Sequence, residues 1–241
     1  MPTSKKENEI YIKVTENGPY ILYGIPEINQ EIIIENDNIP IEYKKERSFA
    51  IKKELPYKAY LCRCGHSKNP PFCDGAHIKQ NFQGIETASF DKFKTNAIVY
   101  KGKNLILLDN PKFCALARFC DYKDTIWNLI HKGDKESDEL AIKESLLCPS
   151  GRLIILNNNG LKIENKLLSS LSKSVSVLQD PSLKVSGPIW LKGGIRVESV
   201  NGKSYEIRLK QTLCRCGKSK NKPFCDCAHF HFNFQDNNFS F

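Results

Sequence analysis

The sequence predicts an α+β protein in three parts: two mainly β, cysteine-bearing repeats on either side of a βα…αβ module. Three observations carry that expectation. A run of the form C-x-C-x8-C-x3-H occurs at Cys62 to His77 and again at Cys214 to His229, offset by 152 residues. The flanks of the run repeat with it: Asn17-Gly18-Pro19-Tyr20-Ile21-Leu22-Tyr23-Gly24 parallels Ser186-Gly187-Pro188-Ile189-Trp190-Leu191-Lys192-Gly193, and Asn81-Phe82-Gln83 parallels Asn233-Phe234-Gln235. Between the copies, β-type runs bracket helical ones. A repeat that includes strand, motif and tail is a duplicated unit rather than a chance match of cysteines.

Taken in order, Met1 to Lys6 reads as a frayed tail. Short β-type runs follow at Ile10 to Val14, Tyr20 to Tyr23 and Glu31 to Glu35. Asn17-Gly18-Pro19, Gly24, Asn36-Asp37-Asn38 and Pro40 punctuate them as turns. Further runs at Phe49 to Ile51 and Tyr57 to Leu61 lead into Cys62. The Gly-Pro to Cys distance is 17 residues longer here than in the second copy, so an insertion lies before Cys62. In the middle, Asn96 to Tyr100 and Leu105 to Leu108 form a hairpin around Lys101-Gly102-Lys103-Asn104. Phe113 to His131 reads as helical. Ser137 to Leu147 is an amphipathic helix stopped by Pro149 and Gly151. Arg152 to Leu156 and Leu161 to Ile163 make a second hairpin around Asn157 to Gly160. Tyr205 to Leu209 alternates as a strand, and Gln211 to Leu213 enters Cys214. The expected domain limits are 7–88, 89–172 and 173–241.

Charged residues at 26% and apolar ones at 40% describe a globular chain. No apolar run approaches the roughly 18–20 residues of a membrane span. The N-terminus carries no signal or transit pattern. Ten cysteines would suggest disulfides in a secreted chain; here nine fall into metal-type spacings, which points to a reducing cytosol. The net charge of +9 comes from lysines scattered among Asn, Ile and Glu, with no basic block, so nucleic acid is not the expected partner.

Three thiols and one imidazole within sixteen residues make a complete coordination set. Zinc takes that set in tetrahedral structural sites. An iron–sulfur cluster also takes it, with His replacing Cys on one iron. Ligand count alone leaves both open. Ser67 and Ser219, Pro71 and Pro223, and Asp74 and Asp226 recur at fixed offsets; they shape a tight loop and stand behind the ligands. His66 has Lys218 as its counterpart, so it is not expected to ligate, and His131 and His231 read as solvated. Arg63, Lys68, Arg215 and Lys220 are candidates for screening cluster charge and for a rim facing an acidic partner.

These residues resemble the CDGSH-type iron–sulfur family. Its pattern, C-x-C-x2-S/T-x3-P-x-C-D-G-S/A/T-H, fits the first copy at every position. The resemblance implies one 2Fe-2S cluster on Cys62, Cys64, Cys73 and His77, and another on Cys214, Cys216, Cys225 and His229. It also implies clusters working in pairs, through pairing of the two copies within the chain or through a homodimer. One departure stands out: Cys227 occupies the position of Gly75. A Cys in a left-handed position costs roughly 1–2 kcal/mol.

The middle has its own signal. Cys114-Ala115-Leu116-Ala117-Arg118-Phe119-Cys120 is followed by Cys148-Pro149, with Ala117 where a bacterial ferredoxin has its middle cysteine. This resembles the divergent single-cluster ferredoxins and makes the central module ferredoxin-like. It implies Cys114, Cys120 and Cys148 as ligands of a 3Fe-4S cluster, or of a 4Fe-4S cluster with a non-Cys fourth ligand.

No phosphate loop, Ser/His/Asp set or paired catalytic carboxylates occur, so the expected function is not enzymatic. It is single-electron transfer to a redox partner protein. The alternatives are storage or transfer of a cluster to an apo iron–sulfur acceptor, and a zinc-stabilised interaction module. An imidazole ligand is lost on protonation, so acidification below about pH 6 is expected to bleach the visible absorption, and His77→Cys to suppress that loss.

Overall fold

The computed structural model describes residues 9–24, 27–51, 57–122, 124–163, 171–237 and 239. The expected tail at 1–6 lies outside them. The fold is α+β. Residues of the two repeats build two sheets, and each sheet takes strands from the other repeat. In the first repeat, β1 (Tyr11–Val14), β2 (Tyr20–Tyr23) and β5 (Lys58–Leu61) pair antiparallel. In the second, β9 (Ser174–Asp180), β10 (Val185–Lys192) and β12 (Lys210–Leu213) do the same. Strand β11 (Arg196–Glu198) of the second repeat crosses to lie parallel to β1. Strand β3 (Glu27–Asn36) of the first crosses to lie parallel to β9. The sheet orders are therefore β11-β1-β2-β5 and β12-β10-β9-β3-β4.

The insertion before Cys62 contains β4 (Ile39–Ala50), a twelve-residue edge strand paired with β3. Asp37 and Asn38, at φ 49° and 63°, form the two-residue turn between them. Positive φ at both central positions is what a short hairpin turn with the native strand twist requires. Pro40 is tolerated because β4 is an edge. The sequence marks only the end of this strand, because its middle, Lys44 to Ser48, is polar and exposed.

The two sheets close on one core. Ile12, Val14, Tyr20 and Leu22 meet Val175, Val177, Ile189 and Leu191 there. Strands β1, β2 and β5 bury alternate residues, as one-faced strands do. Strands β10 and β12 are buried almost throughout. Their outer face is covered by the central module and by the chain after the second loop.

The central module is a three-stranded antiparallel sheet, β6 (Ile98–Lys101), β7 (Leu105–Asp109) and β8 (Leu153–Asn157). Helices α2 (Ile126–Lys132) and α3 (Lys135–Leu147) pack on it through Ile126, Leu129, Ile130 and Ala141. Asp134 caps α3 by accepting from the Ser137 amide at 2.9 Å. Very short helices α1 (Ala76–Lys79) and α4 (Ala228–His231) carry the two motif histidines.

Several expectations change. The helix expected over Phe113 to His131 begins only at Ile126. Cys114 to Cys120 is an irregular loop with Leu116 and Arg118 at φ 51° and 62°. Helical geometry would spread Cys114 and Cys120 around an axis; the loop folds both toward one cavity. Tyr205 to Leu209 is irregular as well. Its alternation is not expressed in burial: Tyr205 packs into the core, but Glu206, Ile207 and Leu209 are exposed. The second central hairpin does form: β8 turns at 157–160 into a bridge between Leu156 and Lys162, with the amides of Asn157 and Ile163 donating to the carbonyls of Leu161 and Ile155.

Candidate metal centres

The two motif loops have nearly the same internal wiring. In the first, Ser67 Oγ donates to the Phe72 carbonyl at 2.6 Å and accepts from the Asn69 amide at 3.0 Å. The Asp74 carboxylate accepts from the amides of Lys68 and Ala76, at 2.8 and 3.0 Å. In the second, Ser219 Oγ makes the same bonds to Phe224 and Asn221, and Asp226 the same bonds to Lys220 and Ala228. The recurrent Ser and Asp thus hold the loop backbone. Amides bonded to Asp74, first that of Lys68, hold its carboxyl below the usual carboxylate range. The backbone N–H groups of Cys62 and Cys214 each close the loop by donating a hydrogen bond to the carbonyl of Pro71 or Pro223, at 2.8 and 2.9 Å.

The donors fall into pairs. Cys62 and Cys64 sulfurs are 3.8 Å apart, and those of Cys214 and Cys216 are 3.7 Å apart. Cys73 Sγ lies 3.3 Å from His77 Nδ1, and Cys225 Sγ lies 3.5 Å from His229 Nδ1. Two thiolates bound tetrahedrally to one metal at the usual metal–sulfur length of about 2.3 Å stand about 3.8 Å apart, and a thiolate and an imidazole about 3.6 Å. Each pair therefore has the spacing of two ligands on one metal. Among the described residues, no three His, Cys, Asp or Glu side chains come together as the ligands of a single ion. Each loop thus supplies two such pairs, a donor set that suits a two-iron cluster.

The pairing of thiols also shows in their acidity. A hydrogen bond from Cys64 draws the Cys62 thiol below its ordinary value, helped by the Ser67 and Gly65 amides. Cys216 acts likewise on Cys214.

The loops meet back to back. A Cβ at Gly65 would sit 2.7 Å from the Cys216 carbonyl oxygen, and one at Gly217 would sit 2.5 Å from that of Cys64. Both glycines also have positive φ, 82° and 77°. Tyr20 of the first repeat donates to the carbonyls of Cys214 and Pro223, at 2.8 and 2.9 Å.

Their surroundings differ. Cys73 and His77 are half-buried. Cys225 and His229 are only 3% and 4% exposed. The second loop also has the central module beside it: Asn221 Nδ2 donates to the Lys112 carbonyl at 2.9 Å, and Phe113 packs edge-on against Phe224 at 5.3 Å. Burial, and then the Arg215 charge, push the His229 imidazole down to about 4.

Cys114, Cys120 and Cys148 line one cavity of about 340 Å³, together with Trp127, Ser150 and Arg152. Cys148 is the C-cap of α3, and its sulfur lies 3.5 Å from Ser150 Oγ. Arg152 holds Asp109 with two bonds, 2.5 and 2.8 Å, and its charge also acts on Cys114. Burial and the neighbouring Cys148 push the Cys120 thiol up to about 12. Three thiols sharing a cavity ionise together only when a cation joins them. The donor set and the cavity fit an iron–sulfur cluster.

The expected rim is only half present. Lys68 and Lys220 are exposed, but Arg63 and Arg215 are 2% and 3% exposed. Arg63 donates to the carbonyls of Thr15 and Gly84. Arg215 donates to the carbonyls of Gly187 and Leu178 and pairs with Asp236. Both arginines brace the loop that contains them. Gly187 lies in the matched Gly-Pro flank, and Gly84 and Asp236 directly follow the two Asn-Phe-Gln tails, so the repeated flanks mark where these braces end.

A family model described as "Iron-binding zinc finger CDGSH type" matches residues 17–78 and 186–230, and one described as "Divergent 4Fe-4S mono-cluster" matches 100–158. With the thiol-rich sites, these define an iron–sulfur cluster-binding protein. The chain is built of two CDGSH-type regions around a divergent mono-cluster region. CDGSH iron-sulfur domain-containing protein 1 of Rattus norvegicus and that of Mus musculus are each 62% identical over 29 residues, 12% of this chain and 27% of theirs. CDGSH iron-sulfur domain-containing protein 3, mitochondrial, of Homo sapiens is 42% identical over 50 residues, 21% of this chain and 35% of its own. The chain thus spans about a quarter to a third of these relatives. No solved structure gives a significant match.

Proposed function

We propose that the chain is an electron carrier rather than an enzyme. Cys62, Cys64, Cys73 and His77 hold one 2Fe-2S cluster, and Cys214, Cys216, Cys225 and His229 hold another. Cys114, Cys120 and Cys148 hold a third cluster of the 3Fe-4S or 4Fe-4S type. Clusters of these types take up and release single electrons. The observation that carries the reading is the contiguity of the sites. The first and second loops touch at Gly65 and Gly217, next to Cys64 and Cys216. The second loop touches the central module at Phe224 and Phe113, next to Cys225 and Cys114. Buried arginines brace both loops, so the ligand backbones are held still while charge moves. The half-buried Cys73 and His77 form the outward end, with Lys68 exposed beside them for an acidic redox partner.

Among the described residues, no helix is long and apolar enough to cross a membrane. The free thiols suit a reducing compartment, the cytosol in our reading.

A second reading, delivery of a cluster to an apo acceptor, draws on the same exposure of Cys73 and His77. Mixing loaded protein with an apo-ferredoxin separates the two. Carriage predicts reversible reduction with the iron retained. Spectral transfer to the acceptor within minutes, with loss of iron from this chain, would replace electron transfer by cluster delivery.

A further inference from the structure

A second cavity, of about 250 Å³, lies outside the three thiol sites. It is framed by α3, by β8 and by the irregular segment from Glu206 to Lys210. Ile142 and Leu146 of α3 and Leu153 and Ile155 of β8 give it apolar walls. Ile207 and Leu209 add to them, although these two side chains are 57% and 47% exposed. A ligand with an apolar body seated here takes that surface out of water. The charge around the cavity is one-sided. Lys92, Lys94 and Lys162 are exposed at its edge, and Arg208 and Lys210 lie in its wall. Lys210 is 6% exposed, and its ammonium donates to the carbonyls of Ser145 and Leu146 in the last turn of α3, at 3.0 and 2.5 Å. Arg208 Cζ lies 3.9 Å from the centre of the Phe113 ring, and Nη1 donates to the Ser150 carbonyl at 2.9 Å. Arg208 Nη2 is buried and has no hydrogen-bond partner among the described residues. Glu206 is the one acidic residue among the described lining, and its carboxylate already accepts from the Phe93 amide at 2.5 Å.

We propose that this cavity binds a small amphiphilic carboxylate, with its hydrocarbon part against Ile207, Leu209 and β8 and its carboxylate at the lysine-bearing edge. Buried cations are costly unless an anion accompanies them, and the lining leaves that place open. Burial lowers Arg208 to about 10 and Lys210 to about 8, and an anion beside them opposes that shift. Charge selects an anion, and the apolar walls select one with a hydrocarbon body over bare phosphate or acetate. The volume is at the small end for ligand sites, which suits a medium-chain acid better than a whole lipid or a peptide. The site does not depend on any cluster, since no thiol is among its described lining. It does adjoin the central site: Leu153 lines both cavities, and Arg208 is bonded to Ser150, which lines the other.

The test titrates full-length protein, purified without oxygen, with octanoate in a calorimeter, and repeats the titration with 1-octanol and with acetate. Octanoate should bind once per chain with a Kd below about 1 mM, and octanol and acetate about tenfold more weakly or not at all. Ile207→Asp places a carboxylate at an exposed lining position and should weaken octanoate about tenfold. Lys162→Glu should weaken it in the same direction. Ile98→Asp, at an exposed apolar side chain outside the cavity, should bind octanoate as wild type does. All three substitutions lie at exposed positions, and an unchanged visible spectrum shows that each variant has kept its fold. No octanoate binding to wild type by about 1 mM would overturn the proposal. So would octanol binding as tightly as octanoate, or octanoate binding unchanged in both Ile207→Asp and Lys162→Glu.

Discussion

The two motif loops share a sequence pattern, a donor spacing and a hydrogen-bond plan, yet they sit in different surroundings. Around the first, water reaches Cys73 and His77. Around the second, Cys225 and His229 are buried, and the central module packs against the loop that carries them. Duplication supplied the same ligands twice, and packing then separated the two sites. What a site does with protons and partners follows from what lies against it as much as from its ligands.

The largest expected consequence is a staged response to acid. The folded value for His229, about 4, lies below the ordinary value of 6.5. Between these values the folded chain binds fewer protons at this site than the unfolded chain does. The stability it contributes is therefore present above 6.5 and is lost as pH falls through about 4. Because water reaches Cys73 and His77 but not Cys225 and His229, visible absorption of the loaded protein should fall in two steps, the first loop bleaching at milder acidity than the second. His77→Cys should remove the earlier step and leave the later one. A single step in wild type would break the comparison.

Next in size is the contact between the loops. Gly65→Ala places a methyl against the Cys216 carbonyl in a left-handed position, at an expected cost of more than 2 kcal/mol. Gly75→Ala meets only the backbone preference, about 1 kcal/mol. Denaturant unfolding of the two variants should show that order, and equal losses would mean that the loops do not bear on one another.

The candidate donor sets of all three sites could be picked out by spacing, and so could most hairpins, because both signals are local. What escaped notice is non-local. The crossing of β3 and β11 leaves no periodicity in either strand. Strand β4 is polar because it lies at an edge. Arg63 and Arg215 resemble any surface arginine until Thr15, Gly84, Gly187 and Asp236 are brought to them. The loop from Cys114 to Cys120 reads as helix by composition, and its turn through Leu116 and Arg118 opposes local preference in order to gather the thiols.

A smaller effect sharpens the contrast between the loops and the module beside them. Burial raises the Glu144 carboxyl from 4.5 to about 8. Across that window the unfolded chain has released its proton and the folded chain has not, so wild-type stability should fall as pH rises from 4.5 to about 8, by about 1–2 kcal/mol. Glu144→Gln should flatten that slope in chemical unfolding, and an unchanged slope would place its origin elsewhere.

The most direct test of two-metal sites on both loops is iron, zinc and acid-labile sulfide analysis of anaerobically purified protein carrying Cys114→Ser, Cys120→Ser and Cys148→Ser, with its visible spectrum. The account predicts a coloured protein with about four irons and about four sulfides per chain and no zinc. A colourless protein with about two zinc ions and no sulfide would contradict it.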